Sequence, residues 1–160
     1  MIDNLAEKPQ TPRVLLVDDM DMILFVIKGQ LLRYGLQVDT ASSGAEAVEK
    51  TKNNVYDLVF MDHLMPEMDG IQAVGEIRKW EDEEYQRKHG MEFPQETPEL
   101  PGADVYEGKR LPIIALTANM ESGAEEKFFA NGFNGFLTKP VVKHKLEEIL
   151  KKWLPQAAGL

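Results

Sequence analysis

The chain has no cysteine, which excludes disulfides, thiolate zinc sites and cysteine nucleophiles. It is short of positive charge: 18 Lys and Arg stand against 27 Asp and Glu, a formal net of −9. Proteins that displace counterions from nucleic-acid phosphates need the opposite balance, so no direct nucleic-acid binding is expected. Long apolar runs are absent too. Nothing approaches the ~20 residues of a membrane span, and no direct membrane contact is expected. Met1 to Pro12 has no basic segment followed by an apolar one, so it does not read as a secretory signal. The default expectation is a soluble cytoplasmic protein.

What is present suits one globular domain. The 160 residues are 43% hydrophobic and 28% charged, enough to bury a single sizeable core. Residues 1–12 are polar, with Pro9 and Pro12, and read as a linker or disordered lead-in. A regular alternation follows. Arg13 to Val17 is a short apolar run stopping at Asp18-Asp19, a buried strand. Asp21 to Tyr34 has helical spacing at 23, 24, 27, 31 and 32, with Gly35 as its stop. Leu36 to Thr40 alternates as a strand, and Ser43-Gly44 opens a helix. Asp57 to Met61 is a strand ending at Asp62, and Gly70 to Trp80 is a helix. Pro112 to Leu116 is a strand ending at Thr117, and Ser122 to Ala130 is a helix. Gly135 to Thr138 is a strand ending at Lys139-Pro140, and Val141 to Leu154 is an amphipathic helix. Five strand–helix units imply a parallel sheet covered on both faces.

Residues 81–110 break the pattern. They hold nine acidic and four basic residues, together with Pro94, Pro98 and Pro101. Glu81 to Lys88 is a candidate extension of the third helix, and the rest reads as a loop, long for a compact domain. A solvated surface insertion is the favoured reading. The sharper alternative is a partner-docking element anchored by Tyr85, Phe93 and Tyr106.

The chemistry sits at the strand ends: Asp18 and Asp19, then Asp62, then Thr117, then Lys139. Ligands of open parallel sheets bind outside the carboxyl ends of the strands. Three carboxylates sharing a small site repel one another unless a cation compensates. Few hard oxygen ligands, completed by water, suit Mg²⁺. Lys139 adds a second positive charge and Thr117 a hydroxyl. Such a set can handle a phosphoryl group, which needs positioning and charge neutralisation, and a carboxylate can be the nucleophile. Taken singly, Asp18-Asp19 and Thr117 read as helix caps, Asp62 as a turn residue and Lys139 as a surface lysine. His63, His89 and His144 show no ligand spacing, and Met61, Met65 and Met68 read as packing and turn positions. The ordered set, one member at each strand end, carries the assignment.

With those residues in view, the chain resembles a response-regulator receiver domain of two-component signalling. The resemblance rests on Val14-Leu-Leu-Val-Asp-Asp19, Val59-Phe-Met-Asp-His-Leu-Met-Pro-Glu-Met-Asp-Gly70, Leu111-Pro-Ile-Ile-Ala-Leu-Thr-Ala118 and Gly135-Phe-Leu-Thr-Lys-Pro140. It covers about residues 13–154, leaving 155–160 as a tail. It implies a doubly wound five-stranded parallel sheet of order 2-1-3-4-5, flavodoxin-like. It implies Asp62 as phosphoacceptor, and Asp19 as a direct Mg²⁺ ligand with Asp18 acting mainly through water. The Leu64 backbone carbonyl would complete the protein's share of the metal shell, and Mn²⁺ could substitute. Lys139 matches the phosphoryl-pairing lysine, its bond to Pro140 expected cis. Thr117 and Phe136 match the switch pair, with Ala118 as the small residue behind the hydroxyl. Signalling by phosphoacceptance, not turnover of a substrate, is implied. The partner would be a histidine kinase or histidine phosphotransfer protein, with room for a homodimer on phosphorylation.

Two departures stand out: the 81–110 insertion is long, and only Pro155 to Leu160 follow the last helix, so no DNA-binding output segment is expected in the chain as it stands, which reads either as a stand-alone receiver or as a receiver cut from a larger protein. The wording of the motifs is similar to receivers of hybrid sensor histidine kinases. A phosphatase using an aspartyl-phosphate would need a second aspartate two residues after the nucleophile, where Leu64 stands. A flavodoxin-like FMN binder would need a phosphate loop where Asp18-Asp19-Met20-Asp21 stands.

Overall fold

The structure, a computed structural model, describes residues 11–92, 110–118 and 120–160. The chain alternates β1 (Arg13–Val17), α1 (Asp21–Leu32), β2 (Gln37–Ala41), α2 (Gly44–Asn53), β3 (Leu58–Asp62), α3 (Gly70–His89), β4 (Ile113–Thr117), α4 (Ala124–Ala130), β5 (Gly135–Thr138) and α5 (Lys143–Trp153). The strands form one parallel sheet of order β2-β1-β3-β4-β5, as expected.

Side chains of a strand alternate between faces, and the core divides accordingly. Val14, Leu16, Leu58, Phe60, Ile114 and Leu116 pack with Leu24, Ile27 and Leu31 of α1 and Leu146 and Leu150 of α5. Leu15, Val17, Val59, Met61, Ile113 and Ala115 pack with Ala47 and Val48 of α2, Ala73, Val74 and Ile77 of α3 and Phe128 of α4. β1, β3 and β4 are therefore apolar at nearly every position: β3 and β4 turn polar only at their last residues, Asp62 and Thr117, and β1 only at its first, Arg13, with Asp18 following it.

Element ends differ from the expected ones for local reasons. α1 stops at Leu32 because Gly35 turns the chain at φ +71° and Tyr34 is buried. α4 starts at Ala124, since Gly123 at φ +84° cannot continue a helix backwards. α3 runs on to His89. Its start is a capping box between Asp69 and Gln72, and its end is Gly90 at φ +64° behind Arg87, Lys88 and His89. Glu81, the first residue of the acidic stretch, is fully buried rather than solvated. Phe93 and Tyr106 lie outside the described residues, and Tyr85 stacks on His89 at a centroid distance of 4.2 Å. Residues 155–160 fold back: Ala157 is buried and the Ala158 N–H donates to the Tyr34 carbonyl at 2.9 Å.

Gly70 sets the position of the central strand's end. Its N–H donates to the His63 carbonyl at 2.9 Å. A Cβ at this position would lie 2.2 Å from the carbonyl oxygen of Asp62, which is backbone and cannot step aside. Gly70→Ala is therefore expected to destabilise the fold by roughly 2 kcal/mol and to displace Asp62. Urea unfolding monitored by circular dichroism checks the first effect, and the backbone amide shift of Asp62 checks the second.

Candidate functional site

The four strand ends meet at one rim. Asp18 follows directly on β1 and is fully buried; Asp19 beside it is exposed. Asp62 ends β3 and Thr117 ends β4, each 3% exposed, so these polar groups sit at the bottom of a depression and not on the surface. Lys139 follows β5, and its peptide bond to Pro140 is cis. The Lys139 ammonium donates to Asp18 Oδ2 and to Asp62 Oδ1, both at 3.1 Å. Its backbone N–H donates to the Thr117 carbonyl at 2.8 Å, tying β5's end to β4's. Asp18 also turns the chain into α1, its Oδ1 accepting from the Met20 N–H at 2.9 Å.

One carboxylate oxygen from each of Asp18, Asp19 and Asp62 lies within 4.8 Å of the others. Burial is the largest influence on Asp62 and pushes its carboxyl up to about 6. The Asp18 and Asp19 carboxylates push the same way, and Lys139 opposes them. For Lys139, burial pulls downward, but the hydrogen bonds and attraction to Asp62 and Asp18 leave it above the usual lysine value. One ammonium thus faces three carboxylates. The donor set is hard oxygen, the charge is uncompensated, and one carboxylate faces solvent; these features fit Mg²⁺.

The remaining expected residues fall around this rim. Ala118 and Leu64 are exposed, Leu64 at 70%. Phe136 is partly buried against the cluster that holds Met120 and Ala124. Asn119 lies outside the described residues. His63 is half-buried and meets Phe128 edge-on at 5.0 Å, a packing role, while Met61 and Met65 are core residues.

Two features were not singled out from the sequence. α1 buries Leu24, Ile27 and Leu31 yet leaves Met22, Phe25 and Val26 exposed at 70, 78 and 52%, a second apolar stripe. The signal was there, since the helix is apolar nearly all round. The other is a buried network around Arg78 and Glu81, which no pattern of residue types marks.

Comparison with known proteins agrees with the geometry. Residues 14–87 match the response regulator receiver domain model. The receiver domain of a sensor histidine kinase from Pseudomonas aeruginosa, solved with magnesium ion coordinated in its active site cleft, is 32% identical, with TM-score 0.67 over 91% of this chain and 98% of that one. The chain belongs to the response regulator receiver family. Within that family it is also similar to a Saccharomyces cerevisiae receiver domain co-crystallised with a histidine phosphotransfer protein, at 28% identity and TM-score 0.71, covering 93% of each chain. Histidine kinase 5 of Arabidopsis thaliana is 36% identical over 152 residues, covering 93% of this chain. The sensor protein GacS of Pseudomonas syringae is 33% identical over 144 residues, covering 90% of it. This receiver spans 16% and 14% of the length of those two kinases. Among the described residues no helix is long and apolar enough to cross a membrane.

The elevated carboxyl of Asp62 has a consequence for stability. The folded domain holds a proton there that the unfolded chain has already released, so Asp62 costs stability as pH rises from about 4 to about 6. Without Mg²⁺, Asp62→Asn is expected to stabilise the fold at neutral pH by ~1–3 kcal/mol. The gain should shrink towards zero as pH falls below the ordinary carboxylate range. Paired urea titrations of both proteins across that pH range check the sign and the window.

Proposed function

We propose that Asp62 is the phosphoacceptor of a cytoplasmic phosphorelay, taking a phosphoryl group from a phosphohistidine on a histidine kinase or histidine phosphotransfer protein. The observation that supports this most is the placement of a buried carboxylate at the end of the central strand, with Asp18 and Asp19 within 4.8 Å and Lys139 at 3.1 Å. An Asp62 oxygen attacks phosphorus in line as the phosphorus–nitrogen bond breaks, the electron pair leaving with the imidazole, to give an acyl phosphate. Lys139 exchanges its bond to Asp62 for one to a phosphoryl oxygen while keeping Asp18. Asp18, Asp19, Asp62 and the Leu64 carbonyl would hold Mg²⁺, or Mn²⁺ in competition; the bound ion supplies charge neutralisation for the carboxylates and the incoming phosphoryl oxygens.

The partner would dock on the exposed stripe Met22, Phe25 and Val26, which begins beside Asp18 and Asp19. An apolar helix face of this kind suits another helical surface. Once the charge is in place, Thr117 moves towards it and Phe136 turns inward, altering the face of α4, β5 and α5. Sedimentation before and after phosphorylation tests whether that face also pairs two copies.

Incubation with Mg²⁺ and acetyl phosphate should add the mass of one phosphoryl group to the wild type and none to Asp62→Asn. Modification surviving in that variant would remove the assignment. Phe25→Ala should slow transfer from a phosphohistidine donor while leaving acetyl phosphate labelling unchanged; equal slowing of both would place Phe25 in the fold rather than in docking.

Leu64 bears on the lifetime of the phosphoryl group. Its exposed apolar side chain, two residues after Asp62, offers no hydrogen bond to an attacking water. Hydrolysis is expected to be slow, on the scale of minutes or longer. Leu64→Asn should accelerate it, each ~1.4 kcal/mol of lost barrier giving tenfold. Decay of the two phosphorylated proteins in Mg²⁺, followed side by side, decides whether Leu64 is the brake.

A further inference from the structure

The guanidinium of Arg78, which has no bond to Asp18, Asp19 or Asp62 among the described residues, makes five hydrogen bonds. Its Nε and Nη2 donate to the Gly132 carbonyl at 3.1 and 2.8 Å, and Nη2 donates to Asn134 Oδ1 at 2.8 Å. Its Nη1 donates to Glu81 Oε1 and to the Leu111 carbonyl, both at 2.7 Å. Glu81 Oε2 accepts from the Leu111 N–H at 2.8 Å, and Asn134 Oδ1 accepts from the Ile113 N–H at 2.9 Å. The Arg78 side chain is 13% exposed and that of Glu81 0%, so water competes little and the charged bonds are strong. One side chain therefore bolts the turn between α4 and β5 to α3 and to the start of β4.

The two ends of α4 are held very differently. Its C-terminal end runs into Gly132, at φ +94°, whose carbonyl Arg78 grips. Its N-terminal end has no side-chain cap and is preceded by exposed Glu121, Ser122 and Gly123. That end, held among the described residues by backbone bonds alone, such as that from the Ala124 N–H to the Glu121 carbonyl at 3.0 Å, follows Thr117 and Ala118 in the chain. Between the two ends, Phe128 is buried with its ring against His63, the neighbour of Asp62, and against Phe133 at 5.3 Å.

We propose that Arg78 is a positioning residue of the switch: it fixes the C-terminal end of α4 as a pivot, so that a charge arriving at Asp62 swings the N-terminal turn of α4 while the α4–β5 turn stays in place. This rests on the reading of Asp62 as phosphoacceptor. The fork is essential to it, because the bonds to Gly132, Asn134 and Glu81 leave in three directions from one plane, and an ammonium cannot reproduce that geometry.

The test is to load the domain with Mg²⁺ and beryllofluoride, a stable phosphoryl mimic, and to record amide chemical shifts and hydrogen exchange. In the wild type, changes should concentrate in residues 120–128 and leave 131–134 still. In Arg78→Lys, Mg²⁺-dependent binding of the mimic should persist, while the changes spread through 131–134 and exchange at Asn134 quickens about tenfold. Arg78→Met is the sharper variant, and the lysine variant serves if it fails to fold. Wild-type changes at 131–134 as large as those at 120–128 would overturn the pivot. So would an Arg78→Lys protein that melts earlier but shows the wild-type pattern, the outcome of a merely structural role. Absence of beryllofluoride binding in the wild type would instead overturn the phosphoacceptor reading, and the pivot with it.

Discussion

One ammonium group between two buried carboxylates holds the working end of this domain together. Asp18 and Asp62 come from neighbouring strands and are both almost sealed from water, an arrangement that repels itself. Lys139 reaches across from β5 to bond both at 3.1 Å, and Asp19, at the solvent edge, leaves the balance negative. The site is thus built one cation short. That deficit makes the rim hospitable to a divalent ion.

Everything beneath the rim serves to keep those groups where they are. The central strands are apolar on both faces and clamped between two helical layers, so their last residues project at fixed heights. Gly70, pressed against the Asp62 carbonyl, keeps the chain leaving β3 tight to the strand end. The covalent order β1, β3, β4, β5 delivers acid, acid, hydroxyl and ammonium in turn. A parallel sheet with reversed winding gathers them because all four strands end on the same side.

The fold was legible because its signals were redundant. Apolar runs at β1, β3 and β4 and shorter strand patterns at β2 and β5, each followed by a helical period, leave little choice of class. The placement of the candidate site was legible for the same reason, since Asp62 and Thr117 close their strands and Asp18 and Lys139 follow theirs. What escaped was governed by contacts distant in sequence. Glu81 looks like one acid among nine in a solvated stretch, yet a guanidinium three residues earlier and a backbone N–H thirty residues later bury it completely. Likewise the apolar residues of α1 announce a helix but not which of them face water, because Met22, Phe25 and Val26 match the buried ones in type. The end of α1 and the start of α4 each moved by two residues, where the left-handed glycines Gly35 and Gly123 overrode periodicity.

The sheet divides the core into two hydrophobic clusters that share no residue: α1 and α5 lie over one, α2, α3 and α4 over the other. The stripe on α1 belongs to the first layer, whereas His63, Phe128, Phe136 and the Arg78 network belong to the second. Substitutions in layers separated by a sheet of buried strands tend to act additively. If the α1 stripe receives the partner and the second layer carries the switch, as proposed, partner choice and response can be altered by substitution independently of one another.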